Sequence, residues 1–550
     1  MAGDNAALDS IQRPVLPRWF VFLCLLGIIG FAAAIRIRLL QMPFERDEGE
    51  YAYAGQLMLQ GVAPYKLAYT MKLPGTHAVY ALIMAAFGQS AGGIHLGLTI
   101  VNAITIGLVY LLGYRLYGQV CGLVAAACFG LIALSESVLG LAAHANHFVT
   151  LFVVAGAVIL LGHRGAIPMR NIVIAGFLFG LAILMKQSAI AFALCGVMAV
   201  WPHDLKSWSL KGALLRGTAF GLAMAGPLIV TILTIRALGV ADTFWFWTWH
   251  YAHEYAREVS WWDGWLNLKA GIGRLAHAAP GIGLLSIVGF VVALRRPRDF
   301  GFWPAVGLSV AASASCAAGL HFREHYFIPI LPLMGVWAGV AIQETYKEIR
   351  SRTARPIWVW VPLTLVLLAL AATTYRHRRT FFRFTPAEVV RYIYGDNPFP
   401  EALEIGRYLR DHCAADQSIA VLGSEPEIYF YSGRRSATGY IYVYGIVEKQ
   451  KYAERMAAEM IQEIETRAPS YVILVDGLAS WFPAPGNDPV HVWFQSYAKT
   501  HLEQVGFVDI LSPKITEYHL DTWAGKYRSA KSGSALTIFR RKTPPDAIDR

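Results

Sequence analysis

The sequence predicts a polytopic α-helical membrane protein with about 11–13 transmembrane helices and a soluble α/β domain at its C-terminal end. Three observations lead there. Of 550 residues, 55% are hydrophobic and only 15% charged, whereas a soluble domain carries about 25% charged residues; mean hydropathy is +0.42. Apolar runs of roughly 15–25 residues recur through the first two thirds of the chain, the length that a hydrocarbon core of about 30 Å demands. They do not alternate as barrel strands do, so the helical class follows. Beyond residue 400 the pattern changes to amphipathic helices and short buried strands.

Candidate membrane helices run about 19–40, 94–113, 119–135, 148–162, 171–185, 187–202, 211–236, 276–294, 302–320, 326–345 and 356–375. The apolar piece 76–90 is short for a crossing. The clusters Arg295–Asp299 and Lys347–Arg355 lie in short loops, and short loops rich in Lys and Arg stay cytoplasmic. Counting back from them puts loops 136–147, 237–275 and 321–325 outside. Counting forward from a cytoplasmic N-terminus puts 41–75 outside too. The counts agree if 76–90 lies at the outer interface or dips into it, which gives about eleven crossings. Arg13 and Arg18 precede the first run without a small-residue cleavage site, so it reads as an uncleaved helix.

The division expected is a membrane domain 1–375, a basic, aromatic interfacial connector 376–399 and an α/β domain 400–550. In the last, "EALEIGRYLRDHC" and "YAERMAAEMIQEIETRA" have helical periodicity, and "SIAVLG", "SYVILVD" and "ALTIFRR" read as strands. An odd number of crossings from a cytoplasmic N-terminus is expected to place this domain on the outer, extracytoplasmic side of the membrane.

Composition also excludes. The net charge of +11 resides largely in topology loops, with no basic aromatic face for nucleic acid. Cys24, Cys121, Cys128, Cys195, Cys316 and Cys413 lie mostly inside apolar runs with no CxxC, which argues against a disulfide framework or thiolate metal site. The soluble domain has no GxGxxG.

The chemistry-bearing stretch is "PFERDEGEYAYAG", with Glu45, Asp47, Glu48 and Glu50. A helix N-terminus favours carboxylates, which accounts for one or two of them; Glu45 and Glu50 read as a solvated helix face. The same loop supplies Tyr51 and Lys72. A carboxylate can serve as general base and a Lys or Arg can hold a phosphate. Loop 136–147 offers His144, Asn146 and His147 for sugar hydroxyls, for a metal or for helix capping. Lys186 interrupts an apolar stretch, either as a phosphate ligand or as a snorkelling boundary residue. Arg323 and His325 occupy a short outer loop, against the positive-inside trend. The connection 237–275, with Trp245, Trp247, Trp249, Trp261, Trp262 and Trp265, reads as an interfacial anchor or a lid.

These residues resemble a family. An Asp-Glu pair in the first outer loop, a Tyr soon after and "KLPG" before an apolar helix are similar to the GT-C polyprenyl-phosphate-dependent glycosyltransferases, in the protein O-mannosyltransferase and aminoarabinose-transferase-like branch. "YRLYG", "AHANHFVTLFVVAGAVIL", "GLAILMKQSAI", "HFREHYFIPILPLMGVWAG" and "IAVLGSEPEIYFYSGRRSATGYIY" follow in the same order. The resemblance implies transfer of a sugar, with inversion, from a polyprenyl-phosphate donor to a glycan, lipid or protein acceptor on the outer membrane face. It implies Asp47 as general base and Glu48 as its support or as a metal ligand beside it, the metal being divalent Mg or Mn. It implies a donor-phosphate contact from Lys72; chemistry and position add Lys186, Arg323 and His325 as candidates for the donor phosphate, and Tyr51, His144, Asn146 and His147 as candidates for substrate contacts. Two departures stand out: Leu73 replaces the first Pro of the family's "KPPG"-like segment, and Met71 stands where an acidic residue precedes this Lys in aminoarabinose transferases.

Two other classes compete. A transporter or flippase of lipid-linked saccharides predicts inverted repeats and broken helices in matching halves, and the sequence shows neither. A non-catalytic envelope-assembly protein has no need of the Asp47, Glu48 and Lys72 set.

Overall fold

A computed structural model describes residues 16–162, 167–200, 209–352, 358, 360–481, 489–521 and 530–542. Arg13, parts of the basic loops 163–170, 203–211 and 347–355, and the ends of candidate helices 187–202 and 356–375 lie outside the described residues. The chain forms two compact units. The first comprises Met1–Leu40, His95–Leu233 and Val259–Phe384; the second comprises Gln41–Ile94, Thr234–Glu258 and Thr385–Arg550.

The first unit is helical. Among the described residues Arg18–Arg38, Ala91–Tyr117, Leu210–Ala237, Phe302–Leu320 and Glu324–Arg352 are long and apolar enough to cross a membrane. A sixth span results if Trp261–Ala278 and Pro280–Leu294, bent by 107°, are taken as one. The other apolar runs fold as shorter helices, among them Gln119–Ile132, Ala145–Leu160, Met169–Met185 and Trp360–Arg376. The breaks have local causes. Run 276–294 starts only at Pro280, because Ala279 before it is held out of the helical region (φ −140°, ψ 62°). Run 187–202 opens as a 3-10 segment, Gln187–Cys195.

Small residues set the helix contacts in this unit. Gly335 and Gly339 lie one turn apart on Leu331–Arg352; a Cβ on either would stand 2.6 Å from the carbonyl oxygen of Ala125 or Cys121, on the helix Gln119–Ile132. Lipid provides no hydrophobic drive between helices, so such backbone approach is what holds them.

The second unit is α/β. Six strands, β1 (Ser418–Leu422), β2 (Arg435–Ser436), β3 (Tyr471–Gly477), β4 (Leu502–Ser512), β5 (Ile515–Leu520) and β6 (Ser534–Arg541), form one sheet in the order β2-β1-β3-β6-β4-β5. β1 runs parallel to β2 and β3, and the β3–β6, β6–β4 and β4–β5 pairs are antiparallel. The helices Phe399–His412 and Ala453–Arg467 and the strands β1, β3 and β6 fall where the sequence periodicity expects them. Two further segments from early in the chain join this unit. The first holds the acidic helix Arg46–Leu59 and the apolar helix Gly75–Phe87. At 13 residues the latter is about 20 Å long, short of a full crossing.

The aromatic stretch divides. Trp247 and Tyr251 are buried in the core of the second unit with Tyr440, Met456 and Trp481, while Trp249 points outward. The helix Trp261–Ala278, with exposed Trp261, Trp262 and Trp265, belongs to the first unit. A single interfacial anchor or lid running through both is therefore corrected: one half is packed core.

Candidate active site

The acidic helix is built by its own carboxylates. Glu45 is the N-cap, and its side chain accepts the backbone N–H of Glu48 at 2.9 Å. Asp47 and Glu48 fill the first turn, where the helix dipole favours negative charge. At about 100° per residue, the next carboxylate on the face of Asp47 is Glu50, not Glu48. Glu48 is fully buried.

Lys72 lies between Asp47 and Glu50. Its ammonium donates to Asp47 Oδ1 at 2.8 Å and to Glu50 Oε2 at 2.7 Å, over the Tyr51 ring at 4.4 Å. Tyr442, from the C-terminal segment, donates its hydroxyl to Asp47 Oδ1 at 3.3 Å. Glu50 is further held by the Thr70 hydroxyl at 2.6 Å, and His77 Nε2 is 3.5 Å away. Tyr65 donates to the Lys72 carbonyl at 2.8 Å, which fixes the loop carrying the ammonium. Burial works against both charges, but each overcomes it in the other's field. Lys72 and His77 hold Glu50 below the usual carboxylate range, and Asp47 and Glu50 hold Lys72 well above the usual lysine value.

Glu45 and Glu50 are thus both buried, which corrects the reading of either as solvated. The sequence pattern places them on a helix but cannot show that Thr70, His77 and residues of the C-terminal segment cover it. The second carboxylate near Lys72, in doubt because Met71 is apolar, comes from Glu50. Tyr51 is also buried, beneath the ammonium.

The C-terminal segment grips this helix and loop at several points. Arg46 donates to Ser424 O at 2.5 Å, Glu425 Oε1 at 2.9 Å and Asn397 Oδ1 at 3.1 Å, between the rings of Phe399 and Tyr444. The Tyr53 hydroxyl accepts Ser436 N–H at 2.7 Å. At the far end of the loop, Tyr69 donates its N–H to Gly439 O at 2.7 Å and its hydroxyl to Glu463 at 2.8 Å. Gly439 has no room for a side chain, since a Cβ would stand 2.3 Å from the Tyr69 ring. Arg46, Thr70, His77, Tyr442 and Glu425 escape sequence reasoning; only the polar residues flanking Asp47 and Lys72 could have signalled the first two.

Glu427 packs its backbone against Gly49 in the acidic helix, where a Cβ would be 2.6 Å from Glu427 N. It is fully buried, and neither carboxylate oxygen meets a partner on another described residue. Burial, then the charges of Glu425 and Glu45, push its pKa well above the ordinary 4.5. A carboxyl raised in this way stabilises the fold below its unfolded pKa and gives that stability up as pH rises toward the folded value. Glu427→Gln is therefore expected to stabilise the protein at pH 8 and raise its thermal midpoint. The gain should shrink to nothing by pH 4.5, as thermal unfolding in detergent at the two pH values would show.

In the first unit, His144 and His325 are buried with their rings stacked in parallel, centroids 4.1 Å apart. Asn146 donates to the His325 carbonyl at 2.6 Å, and His147 Nδ1 lies 3.4 Å from the Asn102 amide. The Lys186 ammonium sits 3.2 Å above the Tyr326 ring. Arg323 is exposed and precedes the 3-10 segment Glu324–Ile330. Non-glycine positive φ angles at Leu320 (57°) and Phe322 (45°) bend the chain here.

Comparison with known proteins bears on the whole chain. Residues 72–231 match the family model of the dolichyl-phosphate-mannose-protein mannosyltransferases. No curated protein sequence matches the chain. Among solved structures, ArnT from Cupriavidus metallidurans, bound to undecaprenyl phosphate, aligns with a TM-score of 0.57 at 15% identity, over 95% of this chain and 98% of that one. The Archaeoglobus fulgidus oligosaccharyltransferase with Zn and sulfate gives 0.54 at 14% identity, over 90% and 73%. The arabinofuranosyltransferase AftD from Mycobacteria gives 0.52 at 14% identity, over 96% of this chain and 40% of that one. The chain therefore has the GT-C fold of membrane glycosyltransferases, and within it residues 72–231 carry the sequence pattern of the dolichyl-phosphate-mannose-protein mannosyltransferases.

Proposed function

We propose that the protein is an inverting glycosyltransferase that moves a sugar from a polyprenyl-phosphate donor to an acceptor hydroxyl on the outer face of the bacterial inner membrane. One observation carries this reading: Asp47, in the first turn of a helix, shares the Lys72 ammonium with Glu50. It puts a base and a phosphate-neutralising cation side by side. Asp47 takes the proton of the acceptor hydroxyl as its oxygen attacks the anomeric carbon. The bond from that carbon to the phosphate oxygen breaks from the opposite side, which inverts the centre. Lys72 stabilises the charge left on the phosphate. Glu48, enclosed beside Glu45, supports the helix start. Lys186, Arg323 and His325 are assigned to the donor phosphate, and Tyr51, His144, Asn146 and His147 to shaping the substrate site. The undecaprenyl phosphate in the ArnT structure, and the dolichol-phosphate in an Archaeoglobus fulgidus oligosaccharyltransferase complex, support the donor class.

The test is mass spectrometry of envelope glycans and of polyprenyl-phosphate sugars from cells lacking the protein. Loss of one sugar from an envelope glycan, lipid or protein, with accumulation of its polyprenyl-phosphate form, is expected. Unchanged pools of both would overturn the proposal.

A further inference from the structure

The two carboxylates that share Lys72 are not equivalent. Glu50 is locked: its side chain is 3% exposed, Oε1 takes the Thr70 hydroxyl at 2.6 Å and lies 3.5 Å from His77, and Oε2 takes Lys72 at 2.7 Å. Asp47 is open. Its side chain is 25% exposed, and the same Oδ1 that takes Lys72 also takes the Tyr442 hydroxyl at 3.3 Å. Lys72 is itself 23% exposed. Both the loop backbone and the Tyr51 ring hold its stem in place, through the Tyr65 bond to its carbonyl and the cation–π contact.

Resting on the glycosyltransferase reading, we infer that Glu50 is the standing counter-ion of Lys72 and Asp47 its exchangeable partner, so that an incoming donor phosphate draws the ammonium off Asp47 and thereby frees the base. As long as Lys72 stays on Asp47, the cation stabilises the carboxylate's charge and weakens it as a base. A phosphate oxygen arriving at Lys72 from solvent competes with Asp47, the more exposed of its two partners. It does not compete with Glu50, which remains held by Thr70 and has no route out. Donor binding thus precedes full activation of the acceptor, and the base stays weakened when only water is present. No covalent step is added: one hydrogen bond, Lys72 to Asp47, is exchanged for one from Lys72 to phosphate. Glu50 is a positioning residue, since it acts through Lys72 and touches neither substrate.

A simple sum of charges predicts that neutralising either carboxylate makes the site more attractive to an anion. The exchange predicts opposite signs. The full-length protein in detergent is titrated with undecaprenyl phosphate, following intrinsic tryptophan fluorescence, as wild type and as the variants D47N, E50Q, E50D and T70V. D47N removes the competing charge and is expected to bind about tenfold tighter. E50Q leaves Asp47 as the only anion on Lys72 and removes the anchor, so binding should weaken about tenfold, with E50D recovering part of the loss. T70V unlocks Glu50 without changing charge, so it should weaken binding in the same direction and keeps the test open if E50Q does not fold. Opposite signs for D47N and the Glu50–Thr70 variants support the exchange; equal signs, or no change in E50Q and T70V, overturn it. Wild-type protein that fails to bind undecaprenyl phosphate overturns the polyprenyl-phosphate reading itself, and the exchange with it.

Discussion

Replacing Asp47 by Asn is expected to lower sugar transfer by roughly 10²–10⁴-fold, the range that a positioned general base contributes, while the fold persists. Asparagine keeps the side chain's shape and its carbonyl oxygen, which can still accept from Lys72 and the Tyr442 hydroxyl that now meet Asp47 Oδ1. It loses the negative charge and with it the ability to take a proton. Because Asp47 is partly exposed and Glu50 remains to neutralise Lys72, no unpaired charge is buried by the change. The measurement is single-turnover transfer from a polyprenyl-phosphate sugar by purified protein, with the thermal midpoint as control. Transfer at the wild-type rate would sink the assignment of the base, and a collapsed midpoint would mean the carboxylate is structural instead.

The largest stability effect is expected one residue earlier. Arg46→Met should destabilise the protein by about 3–5 kcal/mol, because it strands a buried charge. Glu425 is fully buried, and its two oxygens are taken by Arg46 at 2.9 Å and by the Ser480 hydroxyl at 2.7 Å. Removing the guanidinium also leaves the Ser424 carbonyl and the Asn397 side chain short of a donor. The double variant Arg46→Met, Glu425→Met should recover most of the loss, since replacing both members of a buried pair by apolar groups costs far less than removing one. Chemical unfolding of the single and double variants measures the difference. Arg46 lies next to Asp47, so the single variant should also lose transfer beyond what its stability explains. If it unfolds like wild type, the clamp does not hold the helix.

Lys72 shows how far the sequence could be read. The loop "PFERDEGEYAYAG" and "KLPG" resemble the GT-C family, and on that resemblance Lys72 reads as a phosphate contact and Asp47 as the base. Glu50 was misjudged because a helical repeat shows which residues share a face and says nothing of what covers it. The covering groups, Thr70, His77 and Lys72, come from 20 or more positions on. Arg46 went unnoticed because its partners Glu425 and Asn397 lie more than 350 positions away. The aromatic stretch failed as a unit because a run of Trp and Tyr has the same composition whether it meets lipid or a protein core. Trp247 meets Tyr440 and Tyr69, while Trp249 is exposed.

By itself, the sequence determined that the chain is a helical membrane protein with an α/β end, because hydrophobic length and periodicity act locally and show directly in the order of residues. It also marked the acidic helix start and the lysine that follows. Only the tertiary structure decided which carboxylates face Lys72, which of them is shut away from solvent, and that the loop bearing them is gripped by the C-terminal segment through Arg46, Tyr53 and Tyr69. Those choices depend on contacts between residues far apart in the chain, where burial and ion pairing change the character of a carboxylate that looks the same in every sequence position.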